Sequence, residues 1–316
     1  MVKYLGRRVI ALAVILTIVS FGSFSLIHLL PGDIATVILG TGNTPANRIA
    51  LYKQLGLDKG LFSQYSTWLG NIFQLNFGNS FIDGTSVSTT IGTALPIDFE
   101  MILISQVMAF AIAIPLAMKA AKKPNGLFDR IATGTSFTML SVPPFIFIVL
   151  LVLVVSINLQ IPGTGPASFV TFGQDPFHNL VSLVLPSIVL GIGSTVVYFR
   201  VLRSDLVSTL QEEFITMARS KGLTRRRIMW RHAFRPSSIA LLGTAGLNIG
   251  GLIAGGFIVE YLMQIPGIGY MLILAINKSD FLLVQGIVMT IATLIVLLNF
   301  LIDFLFGIID PRITRD

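Results

Sequence analysis

Apolar residues fall into six long runs, at residues 9–30 and about 99–118, 131–157, 181–201, 237–259 and 282–309. Polar, charged and turn-forming segments separate them. The first run has 22 residues, roughly 33 Å as a helix, which suffices to cross the hydrocarbon core of a bilayer. It is too long for the apolar core of a signal peptide. With Lys3, Arg7 and Arg8 ahead of it, it is expected to be an uncleaved first span. The pattern predicts an all-α, polytopic membrane protein with six transmembrane helices.

An even number of spans puts both termini on one side. That side, with the loops at 119–130 and 200–236, holds 18 of the 22 Lys and Arg, and the other side holds only Arg48, Lys53, Lys59 and Lys278. The positive-inside rule therefore places both termini in the cytoplasm of a multi-pass plasma or inner-membrane protein. Residues 1–94 are expected to form the first span and an external cap. Residues 95–309 form a membrane core with a cytoplasmic hairpin at 205–236, and residues 310–316 a cytoplasmic tail. Composition agrees: 53% of residues are hydrophobic and 12% charged, against about 25% charged in soluble domains. The net charge of +7 then reflects topology rather than a nucleic-acid partner.

Candidate chemistry is sparse. With no Cys there are no thiolate sites, and His28, His178 and His232 stand too far apart to suggest a metal site. A phosphate-cradling loop requires Gly-Lys-Ser/Thr, and Gly-Lys occurs nowhere in the chain. No catalytic residue, metal site or bound cofactor is expected, and any ATP chemistry belongs to another chain.

Several polar and glycine patterns remain. The outer segment 31–98 carries Tyr65, Trp68, Phe73 and Phe77; it reads as a partly helical cap, or as a docking surface for an external partner. The fifth span holds the GxxxG pairs Gly246/Gly250 and Gly251/Gly255, which suit close helix packing, inside the chain or along a pathway and a partner subunit. Asn299 and Asp303 share one face of the last span. An intramembrane carboxylate is a functional candidate, although a structural polar contact fits Asp303 better than a proton relay. Asp98 and Glu100 are expected at the start of the second span, where acids complement the helix dipole.

The polar interruption at 213–235 is the most informative stretch. Glu212 and Glu213 open a short helix, and Phe214, Met217 and Ala218 make one apolar stripe at i, i+3, i+4. Gly222 supplies a left-handed stop, and Thr224 caps a second helix. On that helix Arg227, Arg231 and Arg235 recur every four residues beside Trp230 and Phe234. Periodicity alone fits both an interfacial amphipathic hairpin and a helix seated in a groove of a soluble partner.

The stretch Phe214-Ile215-Thr216-Met217-Ala218-Arg219-Ser220-Lys221-Gly222-Leu223, followed by Arg231-His232-Ala233-Phe234-Arg235, resembles the EAA loop of ABC importer permeases. The likeness is strongest to the dipeptide/oligopeptide/nickel group. It extends through Leu29-Leu30-Pro31-Gly32-Asp33, Leu55-Gly56-Leu57-Asp58, Asn76-Phe77-Gly78-Asn79-Ser80, Ile265-Pro266-Gly267-Ile268-Gly269, Val284-Gln285-Gly286 and Asp310-Pro311-Arg312-Ile313. Met217 departs from the small residue usual at its position, and Arg235-Pro236 replaces the Leu-Pro of the wider superfamily. The outer loop at about 158–180 is short for a dipeptide permease.

The resemblance implies a type I ABC importer transmembrane fold in a bacterial or archaeal membrane. The implied partners are a homologous second permease, two cytoplasmic ABC ATPases that bind ATP and Mg, an external solute-binding protein and membrane lipid. Glu213, Phe214, Met217, Ala218, Gly222, Arg227 and Arg231 would then couple to the ATPases, with Gly246, Gly250, Gly251, Gly255, Asn299 and Asp303 in the pathway or subunit packing. The implied substrate is a di- or oligopeptide, with a nickel chelate or glutathione-like peptide as the alternative. The competing function is an ion-coupled secondary transporter or channel using Asp303; an exporter half fits poorly, without a fused ATPase.

Overall fold

A computed structural model describes residues 2–29, 39, 44–54, 58–80 and 82–309. Of the motifs above, residues 30–33, 55–57 and 310–313 lie outside the described residues, as does the side chain of Asp303. The chain divides into two compact units, Met1–Pro96 with Pro266–Asp316 and Ile97–Ile265.

The first unit contains α1 (Val2–Leu29), α2 (Pro45–Gln54), α3 (Leu61–Phe73), the opening turns of α4 (Val87–Ala121), α12 (Ile268–Asn277) and α13 (Phe281–Ile309). α1 packs along α13, where Gln285 Nε2 donates to the Ser23 carbonyl at 3.2 Å. Ser20 and Tyr65 hydroxyls meet at 2.7 Å, and Phe21, Phe24 and Trp68 surround Tyr65. Tyr65 and Trp68 of the outer segment thus fasten α3 to α1. Val87, Ile91, Ala94, Ile268 and Ile287 form this unit's core. A Cβ on Gly286 would lie 2.5 Å from Val87 Cγ1, so α13 approaches α4 as closely as glycine allows. Ser80 donates to Asp280 at 2.5 Å, both buried, which pins the turn before α4 to the start of α13.

The second unit contains the rest of α4, α5 (Leu127–Ser141), α6 (Pro144–Leu151) continued by a π-helical stretch Val152–Asn158, and α7 (Pro176–Thr209). It ends with α8 (Glu213–Ser220), α9 (Arg225–Arg227), a second π-helical stretch Ile228–Ala233, α10 (Phe234–Gly255) and α11 (Phe257–Met263). Asp175 caps α7 by accepting from the Phe177 and His178 N–H groups, each at 3.0 Å. Pro176 occupies the first helical position, where its missing N–H costs nothing. One core joins α4, α7 and α10 through Ala109, Ala113, Ala117, Tyr198, Leu202 and Leu241.

Four described helices are long and apolar enough to span a membrane, and two bent helix pairs could raise this to six. The segment expected as one straight third span, 131–157, is a pair bent by 96°. Pro143 and Pro144 cause the break: each forbids helical geometry at the residue before it, and Val142 and Pro143 are extended at ψ 121 and 142. The short helices Phe257–Met263 and Ile268–Asn277 lie largely in what reads in sequence as the third external connection. Asp98 and Glu100 do not open a helix, because α4 already starts at Val87. Glu100 instead accepts from Asn179 Nδ2 at 3.3 Å.

Candidate functional site

The polar interruption folds into a short, tightly locked hairpin. α8 starts at Glu213 and stops at Lys221, because Gly222 turns left-handed at φ +73. The Gly222 N–H donates to the Arg219 carbonyl at 2.9 Å and the Leu223 N–H to the Ala218 carbonyl at 3.3 Å. These two bonds are the Schellman pattern, and Leu223 adds its apolar contact on Ala218. Thr224 Oγ1 then accepts from the Arg227 N–H at 3.4 Å and caps α9. Stop, turn and restart all fall where the sequence predicts them.

The apolar stripe differs from expectation. Phe214, Met217 and Ala218 do not share one environment: Ala218 is 6% exposed, while Phe214 is 47% and Met217 60% exposed. Ile215, fully buried, joins Ala218 against Ile228. The reason is geometric. On a 3.6-residue helix, Ala218 lies on the arc between Phe214 and Ile215, and the second arm of the hairpin covers the Ile215 side. Ala218 therefore fills the hairpin interior, and Phe214 and Met217 are left facing outward. Glu213 is exposed at the start of the same helix.

On the second arm Arg227, Arg231 and Arg235 are all exposed. Trp230 and Phe234 meet edge to face with centroids 5.6 Å apart. Ile228, Met229 and Ala233 are buried. The wider π-helical turn lets these three face inward while Trp230 stays 52% exposed.

The candidate glycines behave unequally. Gly250 is buried and Gly246 half-buried, whereas Gly251 and Gly255 are exposed, and an added Cβ on either of these two meets nothing within 4 Å. Among the described residues, nothing comes close enough to either of them to make a tight helix contact. In the second unit a close helix crossing lies at Gly191 instead: a Cβ on Gly191 of α7 would lie 3.1 Å from the Ser105 carbonyl of α4. Asn299, on α13, is half-buried. It belongs to the first unit and the glycines to the second.

Sequence reasoning missed a buried polar network inside the spans. Tyr198 donates to Gln106 Oε1, Gln106 Nε2 donates to Ser194 Oγ at 3.2 Å, and Ser194 donates to Asn248 Oδ1 at 2.7 Å. It ties α4, α7 and α10 together, so the helices entering and leaving the hairpin are linked midway along their length as well as beside the hairpin, where the Thr209 and Ser237 hydroxyls meet at 3.2 Å. The signal available was the set of amides inside apolar runs, but their pairing depends on contacts between distant segments.

Comparison with known proteins matches this architecture. Residues 113–315 match the model of the binding-protein-dependent transport system inner membrane component, and residues 1–102 match the N-terminal component of such systems. The chain is 31% identical over 314 residues to the oligopeptide transport system permease protein AppB of Bacillus subtilis, covering 99% of each chain. It is 32% identical over 315 residues to the dipeptide transport system permease protein DppB of Escherichia coli K12, covering 93% of each. A putative peptide transport system permease protein of Brucella abortus is 32% identical over 311 residues, with 98% of each covered. An all-helical membrane core interrupted by this hairpin and matched over both of its halves makes the chain a member of the family of inner membrane components of binding-protein-dependent transport systems.

Proposed function

We propose that this chain forms half of the translocation pathway of an ATP-driven importer for di- or oligopeptides. Its hairpin docks on a cytoplasmic ATPase subunit, a homologous permease supplies the other half, and an external binding protein delivers the peptide. Two ATPase subunits bind ATP and Mg, and this chain binds neither. Both termini face the cytoplasm. The likeness to proteins named as dipeptide and oligopeptide permeases supports the substrate class.

The carrying observation is the two-faced construction of α8. Its inner face, Ile215 and Ala218, is locked against Ile228, and its outer face presents Phe214 and Met217, 47% and 60% exposed. Exposed apolar side chains on a short, stiff helix suit insertion into a cleft of a partner. Closing of the ATPase pair then moves α8 as a rigid body. α7 and α10 carry that motion into the membrane, because alternating access needs connected elements that move as units. Arg227 and Arg231 provide positive charge on the second arm for the same partner.

The test is reconstitution in proteoliposomes with the partner permease, ATPases and binding protein. Labelled di- and tripeptides should accumulate on addition of ATP, and vanadate should stop uptake. Uptake by the purified chain alone, driven by an ion gradient and insensitive to vanadate, would contradict the proposal.

A further inference from the structure

A cleft of about 880 Å³ lies behind the hairpin, on the inward side of α8. Its rim carries Lys122, Arg219, Arg225 and Arg226, and Leu210 and Trp230 contribute to its apolar walls. All four cations are exposed. The carboxylate pairings among the described residues are Asp129 with Arg203 and Asp175 with His178, so none of the four is neutralised within the described chain. Arg219 leans back toward the Leu210 carbonyl at 3.4 Å, away from the outward face that carries Phe214 and Met217.

The cleft sits where three membrane-crossing helices end. Lys122 follows directly on α4, which ends at Ala121, and Leu210 follows directly on α7, which ends at Thr209. Arg225 opens the span Arg225–Ile253. Unpaired cations, an exposed indole and apolar walls at helix ends make a site with two chemistries. Arginine and lysine satisfy phosphate oxygens, and an indole at the end of a span suits the level between headgroup and acyl chain.

We propose that this cleft binds the headgroup of an anionic phospholipid of the cytoplasmic leaflet. The phosphate sits among Lys122, Arg225 and Arg226, and the glycerol and first methylenes lie against Trp230 and Leu210. Charge complementarity selects anionic over zwitterionic lipid. The hairpin thereby divides its labour, with a protein partner on the outer face of α8 and the membrane surface on its inner face.

The experiment uses the assembled transporter in membranes containing photoreactive phosphatidylglycerol or phosphatidylcholine, with lipid adducts mapped by mass spectrometry. Adducts around residues 225–230 should favour phosphatidylglycerol over its bulk proportion, and millimolar inorganic phosphate should leave that preference unchanged. Lys122→Gln, Arg225→Gln and Arg226→Gln should each lower the preference about fivefold. Lys122→Arg and Arg225→Lys should preserve it, at an unchanged thermal midpoint in every variant. An adduct ratio equal to the bulk ratio, or one unchanged in the triple glutamine variant, would overturn the proposal. Loss of the preference in millimolar phosphate would identify a site for free anions and overturn it as well. So would adducts formed by the permease pair alone but absent from the assembled transporter, since the cleft would then belong to the protein contact.

Discussion

Arg203 holds Asp129 through two parallel hydrogen bonds, Nε to Oδ1 at 2.8 Å and Nη2 to Oδ2 at 2.5 Å. Asp129 is only 3% exposed, and its Oδ2 also accepts from the Asn125 N–H at 2.8 Å. The pair fixes the start of α5, and the turn before it, to the last turns of α7. Since α7 leads directly into the hairpin, the base of the proposed lever is clamped.

Breaking that clamp on one side leaves a buried carboxylate uncompensated. Arg203→Ala should therefore destabilise the protein by about 3 kcal/mol, read as a lowered thermal midpoint in detergent. The double variant Asp129→Leu/Arg203→Leu removes both charges and should recover most of the loss. A double variant no more stable than Arg203→Ala would show that the pair is not the origin of the effect.

At Gly222 the backbone, not the space, sets the requirement. An added Cβ meets nothing within 4 Å, but φ is +73. Gly222→Ala should cost about 1–2 kcal/mol, and Gly222→Asn less, because asparagine tolerates this conformation. Gly222→Pro cannot adopt it and also loses the N–H donated to Arg219, so ATP-driven uptake should be abolished while membrane insertion persists. Uptake assays and a quantitative membrane fraction check both statements.

The divided face of α8 predicts two kinds of damage. Ala218→Asp places a charge in the hairpin interior and should destabilise it by about 4 kcal/mol, lowering the thermal midpoint of the isolated chain. Met217→Asp, on the outer face, should leave that midpoint unchanged and reduce peptide-stimulated ATP hydrolysis at least tenfold. Equal thermal effects from the two would remove the distinction between inner and outer faces.

Two glycines make a matched comparison. Gly286→Ala drives a methyl group to 2.5 Å from the buried, β-branched Val87 and should cost about 1–3 kcal/mol. Gly251→Ala meets nothing within 4 Å and should leave the thermal midpoint of the isolated chain unchanged or slightly raised, since alanine favours a helix. Thermal unfolding of both variants decides the point.

Much of this was legible from local chemistry. The runs of apolar residues fixed where the long helices lie, and Gly222 and Thr224 marked the hairpin's stop and restart, because caps and turns depend on neighbouring residues. The break after Ser141 was written in Pro143-Pro144, but a continuous apolar run masked it. The burial of Ala218 was not legible, since the arc shared by Phe214 and Ala218 looks uniform until Ile228 covers one edge. The network of Gln106, Ser194, Tyr198 and Asn248 was hidden for the same reason: it joins segments far apart in sequence. The GxxxG spacing pointed to close packing at Gly251 and Gly255, yet among the described residues close approaches fall at Gly191 and Gly286, which no spacing motif marks.

The central claim is that α8 presents Phe214 and Met217 to an ATPase while Ile215 faces inward. The chain has no cysteine, so single cysteines at 214, 215 and 217 can be placed in an unmodified background. With a short bifunctional crosslinker in the assembled transporter, positions 214 and 217 should form links to the ATPase whose yield changes with ATP, and position 215 should form none. Links to the ATPase from position 215 alone, or links from 214 and 217 only to lipid probes, would contradict the account.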